Sequence, residues 1–273
     1  MNTREILENN NFVFKKKYGQ NFLQDTNILD NIVKVSNITP DTLVIEIGVG
    51  AAALTKKLSL VSKNVLGYEI DKTLEEPLKE ILKEYNNIDI IFDDFLNRNI
   101  NNDIKKYEYK EIMVVSNLPY YITTPIIVKF IEEKINVSRI VVMVQNEVAD
   151  RFSANIGSKC YNSLSVFLNY YFNIKKAFFV SRNVFYPKPN VDSAIVVFNR
   201  KENSIKALNE ELFFKLVKDS FKQKRKTLKN NLKNYDLKII DDVLSKTNKS
   251  TNDRAETITL EEFINISNAL AKQ

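Results

Sequence analysis

The sequence predicts an α/β protein: a doubly wound, mainly parallel seven-stranded sheet followed by a small all-α carboxyl-terminal domain. Three observations carry this. Short β-branched runs alternate with helical apolar patterns from Thr42 to Val144. The first run ends in a glycine loop that opens a helix, the arrangement parallel sheets use at their ligand-binding edge. Beyond Asn209 only helical periodicity remains.

Composition narrows the chemistry. At 273 residues and 44% hydrophobic, the chain is long enough to bury one substantial core and a smaller second one. The formal net charge of +6 makes a polyanion such as nucleic acid a natural partner. A single cysteine, Cys160, excludes an intrachain disulfide and thiolate zinc clusters. Histidine is absent, which removes imidazole bases, Ser-His-Asp triads and the usual catalytic zinc sites, so no metal is expected. The amino-terminal MNTREILENNNF has no apolar signal region, and no apolar run approaches a membrane span. A soluble cytoplasmic protein is the expectation.

The elements follow in order. Lys15 to Leu23 reads KKKYGQNFL, a solvated basic run with a turn at Gly19 when taken alone. Ile28, Leu29, Ile32 and Val33 have helical spacing, with Asp25 or Thr26 as the cap. Thr42 to Ile47 is a strand that turns into Gly48-Val49-Gly50 and a helix, so small residues and amide donors can approach a ligand. A GxG alone is often an ordinary tight turn. Here the next strand, Asn64 to Tyr68, ends in Glu69, about 20 positions after the loop, where an acid suits ribose hydroxyls. Leu74, Leu78, Ile81 and Leu82 mark another helix. The third strand, Ile88 to Phe92, runs into Asp93-Asp94-Phe95; Asp94 can accept from an adenine amino group and Phe95 can pack on the ring, although an isolated Asp-Asp pair is commonly a turn.

The fourth strand, Ile112 to Val115, delivers VVSNLPYYITTP. Pro119 holds Leu118 out of the α region, leaving a free carbonyl between the Asn117 amide and the Tyr120 ring, a set suited to a flat, hydrogen-bonding base. Thr123-Thr124-Pro125 is expected to cap the next helix. A fifth strand, Arg139 to Val144, leads into QNEVADRF, and Tyr161 to Ile174 reads as a buried helix. Ala177 to Val180 and Ser193 to Phe198 are the last two strands, joined by a connector with Phe185-Tyr186-Pro187. Phe185 is equally readable as a stacking ring or as a core aromatic under a proline turn.

The polar stretch Arg200 to Asn209 places the domain boundary at residue 200, giving domains 1–200 and 201–273. Between Lys215 and Lys238 nine Lys and Arg stand against two Asp. A helical bundle with a basic face at Lys222, Lys224, Arg225, Lys226 and Lys229 is a fair phosphate-contact surface, while solvated lysines are the commoner meaning of such a run.

Nine motifs in order carry a resemblance: YGQNFL, EIGVG, YEID, DDF, NLPYYITTP, QNEVADR, FYPKPNVDS, FKQKRKTLKNNL and RAETITLEEF. The chain resembles the ribosomal RNA adenine N6-dimethyltransferases, most closely the branch that modifies small-subunit (16S) rRNA, the kasugamycin-sensitivity dimethylase. The resemblance implies an S-adenosylmethionine-dependent enzyme with a Rossmann-like class I methyltransferase domain and a helical carboxyl-terminal domain that contributes to RNA binding. It implies that Asn21 and Leu23 line the methionine end of the cofactor, Gly48 allows close backbone approach, Glu69 holds the ribose, Asp94 takes the adenine amino group, and Asn117 lies between cofactor and base. Tyr120 and Phe185 are candidates for the two faces around the target base. Two departures stand out: the family's loop has proline where Val49 stands and often glycine where Ala52 stands, so this loop is expected to be less constrained.

The implied activity is dimethylation of two adjacent adenosines near the 3′ end of 16S rRNA in an immature 30S particle, by a monomer. A macrolide-resistance dimethyltransferase of 23S rRNA shares the chemistry, but Leu118 and the last two motifs resemble the small-subunit branch. A DNA adenine methyltransferase usually carries a doubled proline, and this chain has one at that place. A non-catalytic RNA-binding assembly factor would not need Glu69, Asp94 and Asn117 intact.

Overall fold

A computed structural model of the protein describes residues 22, 23, 25–119, 122–202 and 205–272. The chain divides into two compact units. One takes the described residues before Asp150 together with Lys175–Asn199, and the other takes Asp150–Ile174 and the described residues from Arg200 onward.

A seven-stranded sheet organises the first unit. Its strands in chain order are β1 (Thr42–Ile47), β2 (Asn64–Tyr68), β3 (Ile88–Ile91), β4 (Glu111–Asn117), β5 (Val137–Gln145), β6 (Phe172–Val180) and β7 (Ser193–Arg200). They lie side by side as β3-β2-β1-β4-β5-β7-β6. The pairs among β1 to β5 are parallel, and β7 runs antiparallel to β5. Every residue of β1 is buried, as a central parallel strand covered on both faces must be.

The helices of this part are α1 (Thr26–Ser36), α2 (Ala53–Ser59), α3 (Glu75–Leu82), α4 (Ile100–Ile104), α5 (Thr123–Glu132) and α6 (Asn146–Phe152), whose last residues belong to the second unit. Leu29 and Ile32 of α1 and Leu54 and Leu58 of α2 share one core with Val44, Val65, Val115 and Val141 of the sheet. Asp25 caps α1, its carboxylate accepting from the amides of Asn27 and Ile28. The threonine cap expected for α5 is not made. Thr123 and Thr124 are already inside the helix, no side chain caps it, and the buried Thr123 hydroxyl has no hydrogen-bond partner. Pro125 does fall in the first turn, where its missing N–H costs nothing.

The second unit contains α7 (Ser163–Tyr171), α8 (Glu210–Ser220), α9 (Leu228–Asn231), α10 (Leu237–Ser245) and α11 (Leu260–Leu270). Its core joins Tyr161, Val166 and Tyr170 to Phe213, Leu216, Leu244 and Phe263. The Tyr170 hydroxyl accepts from Ala207 N–H at 3.0 Å and donates to Glu210 at 2.9 Å, so the buried ring carries no unpaired polar end. The stretch 150–174 therefore clusters with the helices, whereas the sequence reading drew one boundary at residue 200. Apolar spacing shows that a helix buries one face but not which core receives it.

Two further differences have local causes. The sixth strand begins at Phe172 rather than Ala177, because Phe172 takes an extended backbone and the following residues alternate in exposure. Of the basic stretch expected as a helical face, Lys222, Lys224, Arg225 and Lys226 lie in a turn region between α8 and α9, and Lys229 lies in α9. Asn231 donates from its side-chain amide to the carbonyls of Ser220 (2.7 Å) and Gln223 (3.2 Å), and accepts from Gln223 N–H, replacing the bonds of a continuing helix.

Gly67 shows how tightly β2 meets the glycine loop. A β-carbon there would lie 2.6 Å from Val49 Cγ2 and 3.4 Å from Ile90 Cγ1. Gly67→Ala is expected to lower stability by about 1–3 kcal/mol, read from the urea midpoint, and Val49→Ala in the same chain should recover part of the loss. Additive losses in the double variant would contradict this account of the packing.

Candidate active site

The order of the sheet reverses between β1 and β4, the position at which open α/β sheets hold ligands beyond their carboxyl ends. The last paired residues are Ile45 and Val114. Beyond them Ile47 N–H donates to the Ser116 hydroxyl at 2.8 Å rather than to a backbone carbonyl. The two strand ends separate there, one leading into the glycine loop and the other into Asn117.

In that loop Gly48 and Gly50 have φ of 81° and 56°, left-handed values at which a β-carbon is disfavoured. Gly48 N–H donates to Tyr68 O at 2.8 Å. The β-carbon position of Gly48 lies 3.7 Å from Pro119 Cδ and 3.8 Å from the Asn117 carbonyl oxygen, so the loop rests against the Asn117-Leu118-Pro119 stretch. Ala52 also adopts a left-handed φ, 58°. The strain costs about 1–2 kcal/mol, and burying its methyl returns about 0.8 kcal/mol, so part of that cost is offset. Val49 is 5% exposed and packs with Leu74, Leu78 and Ile81, so side-chain packing supplies constraint that a proline ring would otherwise give.

Glu69 joins the loop to the end of β2. It is 4% exposed; Oε2 accepts from Gly50 N–H at 2.9 Å and Oε1 from Asp71 N–H at 2.8 Å. Burial pushes its pKa up, and the Asp71 and Gly50 amides pull against that shift. The carboxylate retains acceptor capacity for a ligand hydroxyl beyond these amide bonds. Asp94 stands at the next strand end, with Oδ1 accepting from Leu96 N–H at 2.9 Å. Phe95 is not a surface platform: it is 3% exposed, its ring 5.0 Å from that of Tyr68 and 5.4 Å from that of Phe130.

Asn117 ends β4 half-buried, and Leu118 is 2% exposed. Asn21 and Tyr120 lie outside the described residues. Leu23 and Phe185 meet directly: Phe22–Leu23 pairs antiparallel with Phe185–Tyr186 in the register Leu23 to Phe185 and Phe22 to Tyr186. Leu23 is 6% and Phe185 5% exposed, both in the core beneath α1. Phe185 is therefore buried instead of standing open as a ring platform, because the pairing turns Tyr186, at 53% exposure, outward. Lys222, Lys224, Arg225, Lys226 and Lys229 are all exposed in the second unit, with the Lys224 ammonium donating to Lys159 O.

Residues not foreseen complete the picture. Glu46, in the EIG of β1, is 1% exposed and its Oε2 has no hydrogen-bond partner; burial, reinforced by the Glu69 charge, pushes its pKa up to about 8. A charged residue inside an apolar strand was a legible signal for it, as was Ser116 in the VVSN run. Nothing in the sequence pattern pointed to the Arg98, Asp93 and Asp103 cluster beside Asp94. Among the described residues no group of three or more His, Cys, Asp or Glu side chains can hold a metal ion. Nor is any helix among them long and apolar enough to cross a membrane.

The site thus combines a close-approach loop, two acidic strand ends and an amide-bearing acceptor stretch. Comparison with known proteins agrees with that combination. The family model for ribosomal RNA adenine dimethylase matches residues 11–272. The chain belongs to the ribosomal RNA adenine dimethylase family. It is 45% identical to a ribosomal RNA small subunit methyltransferase A from Bacillus pumilus, over 99% of this chain and 96% of that one. Among solved structures, a dimethyladenosine transferase from Plasmodium falciparum superposes with a TM-score of 0.74 at 28% identity, covering 90% of this chain and 95% of the other. The fold also matches the 23S rRNA methyltransferase ErmE, with a TM-score of 0.75 at 24% identity over 92% and 100% of the two chains. Members of the family are rRNA adenine dimethyltransferases, and S-adenosylmethionine is the cofactor. The residues present fit it: glycines open the loop, and Glu69 has acceptor capacity at the strand end.

Glu46 makes the stability of this site pH-dependent. Its folded pKa of about 8 lies above the ordinary 4.5, so the folded state retains the proton. The favourable contribution is complete below the ordinary value and is lost as pH rises toward the folded one. Glu46→Gln stays neutral throughout. Urea unfolding should show the two proteins alike near the lower pKa and the variant more stable at about pH 9, by an amount on the order of 1–5 kcal/mol. A pH-independent difference would contradict the assignment.

Proposed function

We propose that this chain transfers methyl groups from S-adenosylmethionine to the N6 amino groups of two adjacent adenosines near the 3′ end of small-subunit (16S) rRNA, two to each. The observation that carries the reading is the contact of the Gly48 loop with the Asn117-Leu118-Pro119 stretch, which supports reading the first as a cofactor loop and the second as an amine-orienting motif. The substrate is an immature 30S particle, the protein acts in the cytoplasm as a monomer, no metal takes part, and the modification belongs to ribosome maturation.

Each residue has a role in this reading. Gly48 admits the cofactor close to the backbone, Asn21 and Leu23 line its methionine end, Glu69 accepts from the ribose hydroxyls, and Asp94 accepts from the adenine amino group. Bound S-adenosylmethionine supplies an electrophilic methyl group. The Asn117 side-chain oxygen and the Leu118 carbonyl accept hydrogen bonds from the N6 amine. Those bonds turn a lone pair otherwise delocalised into the ring toward the methyl, so positioning and electrostatics carry the catalysis. The proton of the methylated nitrogen leaves to solvent without an imidazole base. The target base must leave its stack to reach this edge. Tyr120 covers one face, and Phe185, paired with Leu23, forms a fixed wall of the pocket rather than a free platform. Lys222, Lys224, Arg225, Lys226 and Lys229 contact phosphates, and their contribution weakens with salt.

The test incubates the protein with labelled S-adenosylmethionine and, separately, methyl-deficient small subunits and large subunits, then maps the modified adenosines. Dimethylation of two adjacent small-subunit adenosines is expected, with Asn117→Ala losing at least about a hundredfold in turnover at unchanged Tm. Label on the large subunit would assign the other substrate. A protein that binds RNA and cofactor but transfers nothing would be an assembly factor.

A further inference from the structure

We propose that Arg98 is a positioning residue for the cofactor: it holds the loop Asp93 to Asn97 in the form that presents Asp94 to the adenine amino group, and so sets the base selectivity of the site. This rests on the reading of Asp94 given above.

The guanidinium engages two carboxylates at once. Nε donates to Asp103 Oδ2 at 3.1 Å and Nη2 to Asp103 Oδ1 at 2.6 Å, a bidentate fork, while Nη1 reaches Asp93 Oδ2 at 3.3 Å. The other oxygen of Asp93 accepts from the backbone N–H of Asp94 at 2.9 Å. At the far end the Tyr68 hydroxyl donates to Asp103 Oδ2 at 3.1 Å, and Tyr68, 1% exposed, directly precedes Glu69. One hydrogen-bonded chain thus runs from the residue beside the ribose acid, through Arg98, to the backbone of the adenine acid.

Exposed ion pairs ordinarily contribute little. The Asp103 arm differs because that side chain is only 6% exposed and the fork is bidentate, which anchors the guanidinium that the more exposed Asp93, at 45%, then meets through one nitrogen. Without Arg98, the buried Asp103 carboxylate keeps only the neutral Tyr68 hydroxyl as donor, and the Asp93 side chain loses its hydrogen-bonded cation, leaving the weaker influence of Lys72. Asp93 is then released from the charge that fixes its grip on the Asp94 amide. The selectivity argument is chemical. A carboxylate held at the purine 6-position accepts from an amino group and repels the lone pairs of a 6-oxo group, and the contrast fades if the carboxylate is loosely held. Lysine at this position would keep the charge but not the fork, so it cannot span both aspartates in the same way.

The experiment measures calorimetric affinity for S-adenosylhomocysteine and for its analogue with oxygen in place of the 6-amino group. The proteins are wild type, Asp94→Ala, Arg98→Ala, Arg98→Lys and Asp93→Ala. Wild type should prefer the amino form by about tenfold or more, and Asp94→Ala should abolish the preference. Arg98→Ala should weaken the amino form about tenfold and leave the oxo form within about twofold, with Arg98→Lys losing less. Asp93→Ala, which leaves the Arg98–Asp103 fork in place, should reproduce the loss of preference and decides the matter if Arg98→Ala fails to fold. Unchanged preference in both Arg98→Ala and Asp93→Ala overturns the proposal, as does an equal loss of both affinities, which marks a general structural role. If Asp94→Ala itself keeps the preference, the reading of Asp94 fails, and the proposal with it.

Discussion

A buried carboxylate holds the cofactor edge together. Glu69 accepts from Gly50 N–H with one oxygen and from Asp71 N–H with the other, so a single side chain ties the loop after β1 to the turn after β2. Burial alone would favour the protonated form, and the two amides oppose that tendency. The left-handed backbone at Gly48 and Gly50 is held open by this pair of bonds and by Gly48 N–H on Tyr68 O. Removing the carboxylate would leave two amide donors to find new partners, a larger disturbance than losing one ligand contact.

The reversal of strand order supplies the second half of the site. Parallel strands on either side of β1 and β4 send their connections in opposite directions, which separates the loops that follow them. The Ser116 hydroxyl takes the amide of Ile47, satisfying a buried donor where the ladder ends. Asn117 follows immediately, and Gly48 lies against Pro119. A reaction that needs an amine oriented toward a methyl group requires such an edge and no imidazole, consistent with a chain that contains no histidine.

Much of this was legible in residues. Thr42 to Ile47 is wholly apolar apart from Thr42 and Glu46, and its burial on both faces followed. The spacing from Gly48 to Glu69 anticipated that the loop and the acid would meet. What was not legible depended on partners distant in sequence. The aromatic-rich α7 could bury its face in either core, and Tyr170 chose the helical one through Phe213, Ala207 and Glu210. Phe185 and Tyr186 are adjacent aromatics; only the register with Phe22–Leu23 decides which faces inward. The basic run after α8 has good helix formers, yet the Asn231 side chain diverts it into turns. The Arg98–Asp103 fork joins residues only five apart, but no pattern marks them, because the burial of Asp103 comes from the fold.

The most direct test of the shared edge is a crystal structure of the protein with S-adenosylhomocysteine. The expected result has the ribose hydroxyls within hydrogen-bond distance of Glu69, the adenine amino group at Asp94, and the sulfur on the Asn117 side of the Gly48 loop. A ribose away from Glu69, or a sulfur separated from Asn117 by that loop, would contradict the account.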